Sequence, residues 1–186
     1  MSFASDVREM LADAAYDVLL AFPDSITWTN RANTEISLTA NAGPLEIEEV
    51  EFQNIVTEET SRVFTVPQQA GLYARLSNKA LTSNVATMTT RAAHGFVAGL
   101  QVFIALDTAD TVFDGYQVLS TVPTTTTYTF AKTNANVTSA AATGYCRAVV
   151  NEGDTITFES APYEVTRIKV GDGIWCCYEL QTRRIQ

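Results

Sequence analysis

At 186 residues, with 46% hydrophobic and 18% charged side chains, the chain can bury one large core or two modest ones. Its 21 acidic against 12 basic residues, net charge -9, argue against a protein that grips nucleic acid through clustered Lys and Arg; one that DNA passes without sticking stays open. No window approaches the ~20 apolar residues of a membrane span, and Asp6, Glu9, Asp13 and Asp17 interrupt any secretory signal, so the expected setting is the cytoplasm or a particle assembled there.

The first element reads as a helix. Val7, Met10, Leu11, Ala14, Ala15, Val18 and Phe22 recur at helical spacing, Ser5 or Asp6 can cap it, and Pro23 ends it. From Ile26 the period changes to two. Ile26, Trp28 and residues 34–39 read as short strands around a polar turn at 30–33. In 45–52 the apolar positions switch parity, from Leu45 and Ile47 to Val50 and Phe52, which predicts a bulge or a strand crossing an interface. The same stretch carries Glu46, Glu48, Glu49 and Glu51, either a wet strand face or a ring interface or channel lining. Residues 55–65 continue the β character, with a polar interruption at 57–61.

Between 81 and 145 the composition shifts to Thr, Ala, Val and Asn with few charges. Turn signals at Gly95, Gly99, Asp114-Gly115, Pro123 and Gly144 separate strands expected at 85–90, 101–106, 116–122 and 128–131. That pattern predicts a small all-β module inserted into a loop of another domain. Beyond it, strands at 155–158, 163–170 and 174–182 form a meander, with turns at Gly153-Asp154, 159–162 and 171–173. Three strands bury too little alone, so they should pair with the strands of 26–66. The expected fold is mainly β: a β-barrel with one N-terminal helix (1–80 and 146–186), interrupted by an inserted small all-β sandwich (81–145).

No catalytic constellation emerges. His94, the single histidine, precedes Gly95-Phe96 and reads as a turn imidazole with a local hydrogen bond; no G-x-S-x-G elbow accompanies it. Asp107, Asp110 and Asp114 lack the calcium-loop pattern and read as turn aspartates. Cys146, Cys176 and Cys177 lack C-x-x-C spacing and histidine partners, and their odd count fits a reducing compartment. There is no glycine-rich phosphate loop. Trp28, Trp175 and Tyr178 are candidates for a sugar-stacking platform, although in strands such residues belong more often to a core or interface. No catalytic, cofactor-binding or metal residue is assigned, and no cofactor is expected.

Two stretches carry a resemblance. Asn151-Glu152-Gly153-Asp154-Thr155-Ile156-Thr157-Phe158, followed by Ala161-Pro162-Tyr163-Glu164-Val165, resembles the C-terminal hairpin of head-closure (stopper) proteins of tailed-phage necks. Residues 84–90, His94-Gly95-Phe96, Gly99, Phe113-Asp114-Gly115-Tyr116 and 124–130 are similar to a small β-module that decorates phage virion proteins, tail components especially. The resemblance implies a non-enzymatic head–tail connector or stopper of the virion. It would form a hexameric or dodecameric ring between the portal–adaptor complex and the tail, retaining packaged DNA that passes without sequence-specific binding. Rings need heterologous interfaces, and open sheet edges at 63–66 or 174–180 are the expected places. The alternatives are a tail-completion, tail-tube or adaptor subunit, a carbohydrate-binding adhesion module, or a hydrolase acting through His94.

Overall fold

The computed structural model describes the backbone of residues 24–52, 55–170 and 178–185, with side chains outside 49–58. The helix expected before Pro23 lies outside these residues, as do Trp175, Cys176, Cys177 and the turn at 171–173. Strand accounts for 63% of the chain and no helix occurs among the described residues, so the fold is mainly β. The strands in chain order are β1 (Asp24–Thr29), β2 (Glu35–Ala42), β3 (Glu46–Phe52) and β4 (Ile55–Val66). Then come β5 (Tyr73–Thr82), β6 (Val85–Thr90), β7 (Gln101–Leu106), β8 (Gly115–Val118), β9 (Thr121–Thr124) and β10 (Thr127–Ala131). The last are β11 (Val137–Ala141), β12 (Gly144–Ala148), β13 (Thr155–Phe158), β14 (Ala161–Val170) and β15 (Tyr178–Arg184). Two compact units result: residues 1–68 with 150–186, and residues 69–149.

The first unit holds a closed six-stranded barrel. Its circuit runs β1, β2, β4, β15, β14, β13 and back to β1, antiparallel throughout. Period-two alternation places Ile26, Trp28, Ile36, Leu38, Phe64, Val66, Ile156, Phe158, Tyr163, Val165 and Leu180 inside, all buried. Phe64 sits edge-on to Phe158 at 5.7 Å and to Tyr163 at 5.6 Å, a favoured aromatic geometry. The turn at 30–33 closes on Asn30 Oδ1, which accepts the Ala32 and Thr34 N–H groups, each at 2.9 Å. Glu159 and Ser160, with φ of 48° and 65°, make the two-residue turn between β13 and β14.

Two expectations for this unit are corrected. The edge at 63–66 and the described part of that at 174–180, both expected to be open, pair with each other: Tyr178 stands opposite Val66 and Leu180 opposite Phe64. Each edge is the other's partner, because both present inward apolar residues at the same register, and their pairing closes the barrel. No bulge interrupts 45–52, and the polar stretch 57–61 does not break β4. The β3–β4 ladder runs without a shift from Glu46 opposite Ser61 to Phe52 opposite Ile55. Since β3 lies outside the barrel circuit, it need not keep one face in a core, and a parity switch needs no bulge.

The second unit is one eight-stranded ladder among the described residues, ordered β8-β7-β12-β5-β6-β10-β9, with β11 on β5. β5 joins two sheets. Its Tyr73 to Arg75 segment pairs with β12, while Asn78, Lys79 and Leu81 pair with β11. Leu72, Leu76, Leu81, Met88, Leu100, Ile104, Phe113, Tyr128, Phe130 and Cys146 fill its core. The unit boundaries differ from those expected: a cut at 80/81 falls inside β5 and one at 145/146 inside β12. Leu72, Leu76, Cys146 and Ala148 belong to this second core, so their strands belong with it. The strand expected at 116–122 is two strands, because buried Leu119 turns into the core between them. Gly144 takes φ 134°, and a Cβ there would stand 2.3 Å from the Ala105 carbonyl oxygen, so only glycine lets β12 start this close to β7.

Candidate functional site

Glu46, Glu48, Glu49 and Glu51 all lie on β3. Glu46 and Glu48 are exposed, and so are the apolar neighbours Leu45 (42%) and Ile47 (61%). β3 pairs with β4 on one side only, so its outer edge presents backbone donors and acceptors with no partner strand among the described residues. Glu48 stands directly opposite Glu59. Arg183 of β15 reaches Glu59 at 3.6 Å and Glu164 of β14 at 2.9 Å, and these contacts hold its guanidinium above its usual pKa, the Glu164 hydrogen bond first. By register Arg183 stands between Glu164 and Ser61, and Ser61 opposite Glu46, so Glu48 and Glu59 form a separate row that Arg183 reaches diagonally. Like charges directly opposed destabilise a ladder, so the lone hairpin gains nothing from this arrangement. By register, Glu49 and Glu51 stand opposite Glu58 and Val56.

The other candidates are explained locally. His94 is buried; its Nδ1 accepts the Phe96 N–H at 2.9 Å, and its ring lies 4.9 Å from Phe96 and edge-on to Tyr128 at 5.5 Å. Its Nε2 has no hydrogen-bond partner among the described residues, and burial lowers its pKa against the opposing backbone of Thr127 and Thr124. Asp114 accepts the Leu106 and Asp110 N–H groups at 2.9 and 2.7 Å. Asp110 accepts the Val112 N–H at 2.9 Å and pairs with Lys79 at 2.5 Å, which lowers its pKa. These aspartates shape the loop before β8. Among the described residues no three His, Cys, Asp or Glu side chains are grouped to hold a metal ion. Trp28 and Tyr178 are buried in the barrel, so neither offers a sugar platform.

One surface was not anticipated. On the outer face of β8, β7, β12 and β5, cross-strand pairing lines up Tyr116, Phe103, Arg147 and Tyr73, with Tyr145 and Arg75 in the adjacent row. Phe103 meets Tyr116 at 5.0 Å, and Arg147 lies over Phe103 at 5.3 Å. Tyr73 stacks on Tyr145 at 5.7 Å, with Arg75 5.9 Å from the Tyr73 ring. Period-two spacing in Tyr145-Cys146-Arg147 was the available signal. Alone it does not assemble into a face, because β12 is only five residues long and its partner β5 loses its alternation at Ser77 to Lys79.

No protein-family model matches the chain, and no curated protein sequence matches it.

Proposed function

We propose that the protein is a structural, ring-forming subunit of a tailed-phage neck, a head-closure (stopper) or head–tail connector protein that joins the portal–adaptor complex to the tail and helps retain packaged DNA. The observation that carries the reading is the β3 edge. Among the described residues the closed circuit leaves β3 outside it, with Leu45 and Ile47 exposed among carboxylates. An edge of that kind invites strand addition or burial by a neighbour, and repeated head-to-tail contact closes into a ring. A subunit built this way needs no catalytic group. Carboxylates along a ring's inner wall would repel the phosphates of passing DNA. The 69–149 unit is then a decorating sandwich, and the site of action is the virion.

Native mass spectrometry of the purified chain, alone and with portal, adaptor and tail-completion proteins, tests this reading. The expected result is a discrete hexamer or dodecamer, lost in Ile47→Asp with the monomer still folded. A chain that stays monomeric under all these conditions overturns it. Localisation of the subunit by electron microscopy to the tail tube instead of the neck would move it to the neighbouring reading of a tail subunit.

A further inference from the structure

We propose that the aromatic-backed Arg75 and Arg147 face of the 69–149 unit receives the acidic β3 edge of a second copy of this chain. The inference rests on the ring reading above and names the surfaces that meet.

The face is unusual for so acidic a protein. Arg75 and Arg147 make no ion pair among the described residues, and the strand positions around them carry no carboxylate. Tyr116 is 62% exposed, and Val118, two residues along the same strand face, 57%. Two of the rings are covered: Arg147 lies over Phe103, while Arg75 and Tyr145 flank Tyr73. A sugar or a nucleobase stacks on open ring faces, which the arginines take at Phe103 and Tyr73 and leave at the exposed Tyr116. A guanidinium lying on a ring keeps its in-plane N–H donors for a carboxylate and has lost much of its side-chain freedom already. The face is therefore built for an acidic, partly apolar partner. Two arginines on a chain of net charge -9 are too few to hold a nucleic-acid backbone.

Such a partner exists on the same chain. Glu46 and Glu48 are exposed and make no ion pair among the described residues, and Leu45 and Ile47 alternate with them. Along 45–48 the strand alternation puts Glu46 and Glu48 on one side and Leu45 and Ile47 on the other, so it is the two carboxylates that complement the two guanidiniums. The two surfaces are different and lie on different units. Their union between copies is thus heterologous, the kind that propagates into a ring.

A charge-swap mixture tests the pairing. One variant carries Arg75→Glu and Arg147→Glu; the other carries Glu46→Arg and Glu48→Arg. Circular dichroism and thermal melting first establish that both are folded as the unchanged chain is. Each variant alone opposes like charges and is expected to self-associate about 100-fold more weakly, running as a monomer. Mixed in equal amounts, each hairpin meets an opposite face, and even-numbered rings with alternating subunits should return in native mass spectrometry. Rings from either variant alone, or a mixture that stays monomeric while the unchanged chain forms rings, overturn the pairing and leave the ring reading intact. So does an arginine-face variant that keeps its rings and loses only a portal or tail partner, since the occupant is then another protein. An unchanged chain that never forms rings overturns the ring reading itself.

Discussion

The indole Nε1 of Trp28 donates to Asp154 Oδ2 at 3.0 Å, joining residues 126 positions apart in the chain. The Asn151 N–H donates to the same oxygen at 2.8 Å. The 69–149 unit separates Trp28 from Asp154 in sequence, so this contact ties the N-terminal and C-terminal parts of the barrel. Gly153-Asp154 is thus more than a turn. Asp154 is 1% exposed and accepts from the buried Trp28 indole and the half-buried Asn151 N–H. Asp154→Ala removes the acceptor of the buried Trp28 indole and should destabilise by about 1–3 kcal/mol, while Asp154→Asn, which keeps an acceptor, should cost less. Urea denaturation followed by Trp fluorescence measures both; an alanine variant as stable as the asparagine one contradicts the role.

Two carboxylates give opposite dependences on pH. Burial raises the Asp154 pKa above its ordinary 3.8, so the native state binds that proton more tightly than the unfolded chain. Its contribution is full below 3.8 and is lost as pH rises through the raised folded value. The Lys79 hydrogen bond lowers Asp110 below its ordinary 3.8, so its contribution is present above that value and is lost as pH falls through the lowered one. Stability measured from acid to neutral pH should lose the first slope in Asp154→Asn and the second in Asp110→Asn. Unchanged slopes in either variant refute the assignment.

The barrel's interior was largely legible in the sequence, because strict alternation in Thr155-Ile156-Thr157-Phe158 and in Ile36-Ser37-Leu38 leaves one register that buries the apolar set. β5 was not legible. Ser77, Asn78 and Lys79 interrupt its alternation where it passes from one sheet to the other, and β12 is short and opens on a glycine. Missing those two strands hid both the unit boundary and the arginine face. The acidic run was visible from the start. That β3 stands outside the barrel circuit followed from 63–66 and 178–180 pairing to close it, a long-range contact no local pattern encodes.

Phe158 and Thr157 test the meander register directly. Phe158 is 7% exposed, packs against Phe64 and lies under the Arg62 guanidinium at 4.9 Å. Phe158→Ala should cost about 3–5 kcal/mol, whereas Thr157→Ala, on the opposite side of the strand, should cost less than about 1 kcal/mol. Equal losses in chemical denaturation would mean the strand is read one residue out of register.

Cys146 should be chemically silent until the second unit opens. It is fully buried beside Tyr128, and desolvation pushes its thiol pKa up to about 12, so almost no thiolate exists at neutral pH. In a Cys176→Ser/Cys177→Ser background, a thiol-reactive disulfide reagent at pH 8 should label the chain only at the rate of unfolding. Rapid labelling of the native protein would show that this core is not closed.

Two deletions separate the unit boundary at 68/69 and 149/150 from one drawn at 80/81 and 145/146. Removing residues 69–149 and bridging Gln68 to Val150 with a short Gly/Ser linker takes out a complete core and leaves the barrel circuit whole. Removing 81–145 takes out β6 to β11 and strands what remains of β5 and β12, exposing Leu72, Ala74, Leu76, Cys146 and Ala148, which are buried in the intact chain. Exposed apolar strands without partners aggregate. The longer deletion should therefore give a soluble, cooperatively melting protein in which Trp28 remains buried, and the shorter one should precipitate. Solubility and a single thermal transition for both would show that the strands at 73–80 and 146–148 do not depend on the unit between them.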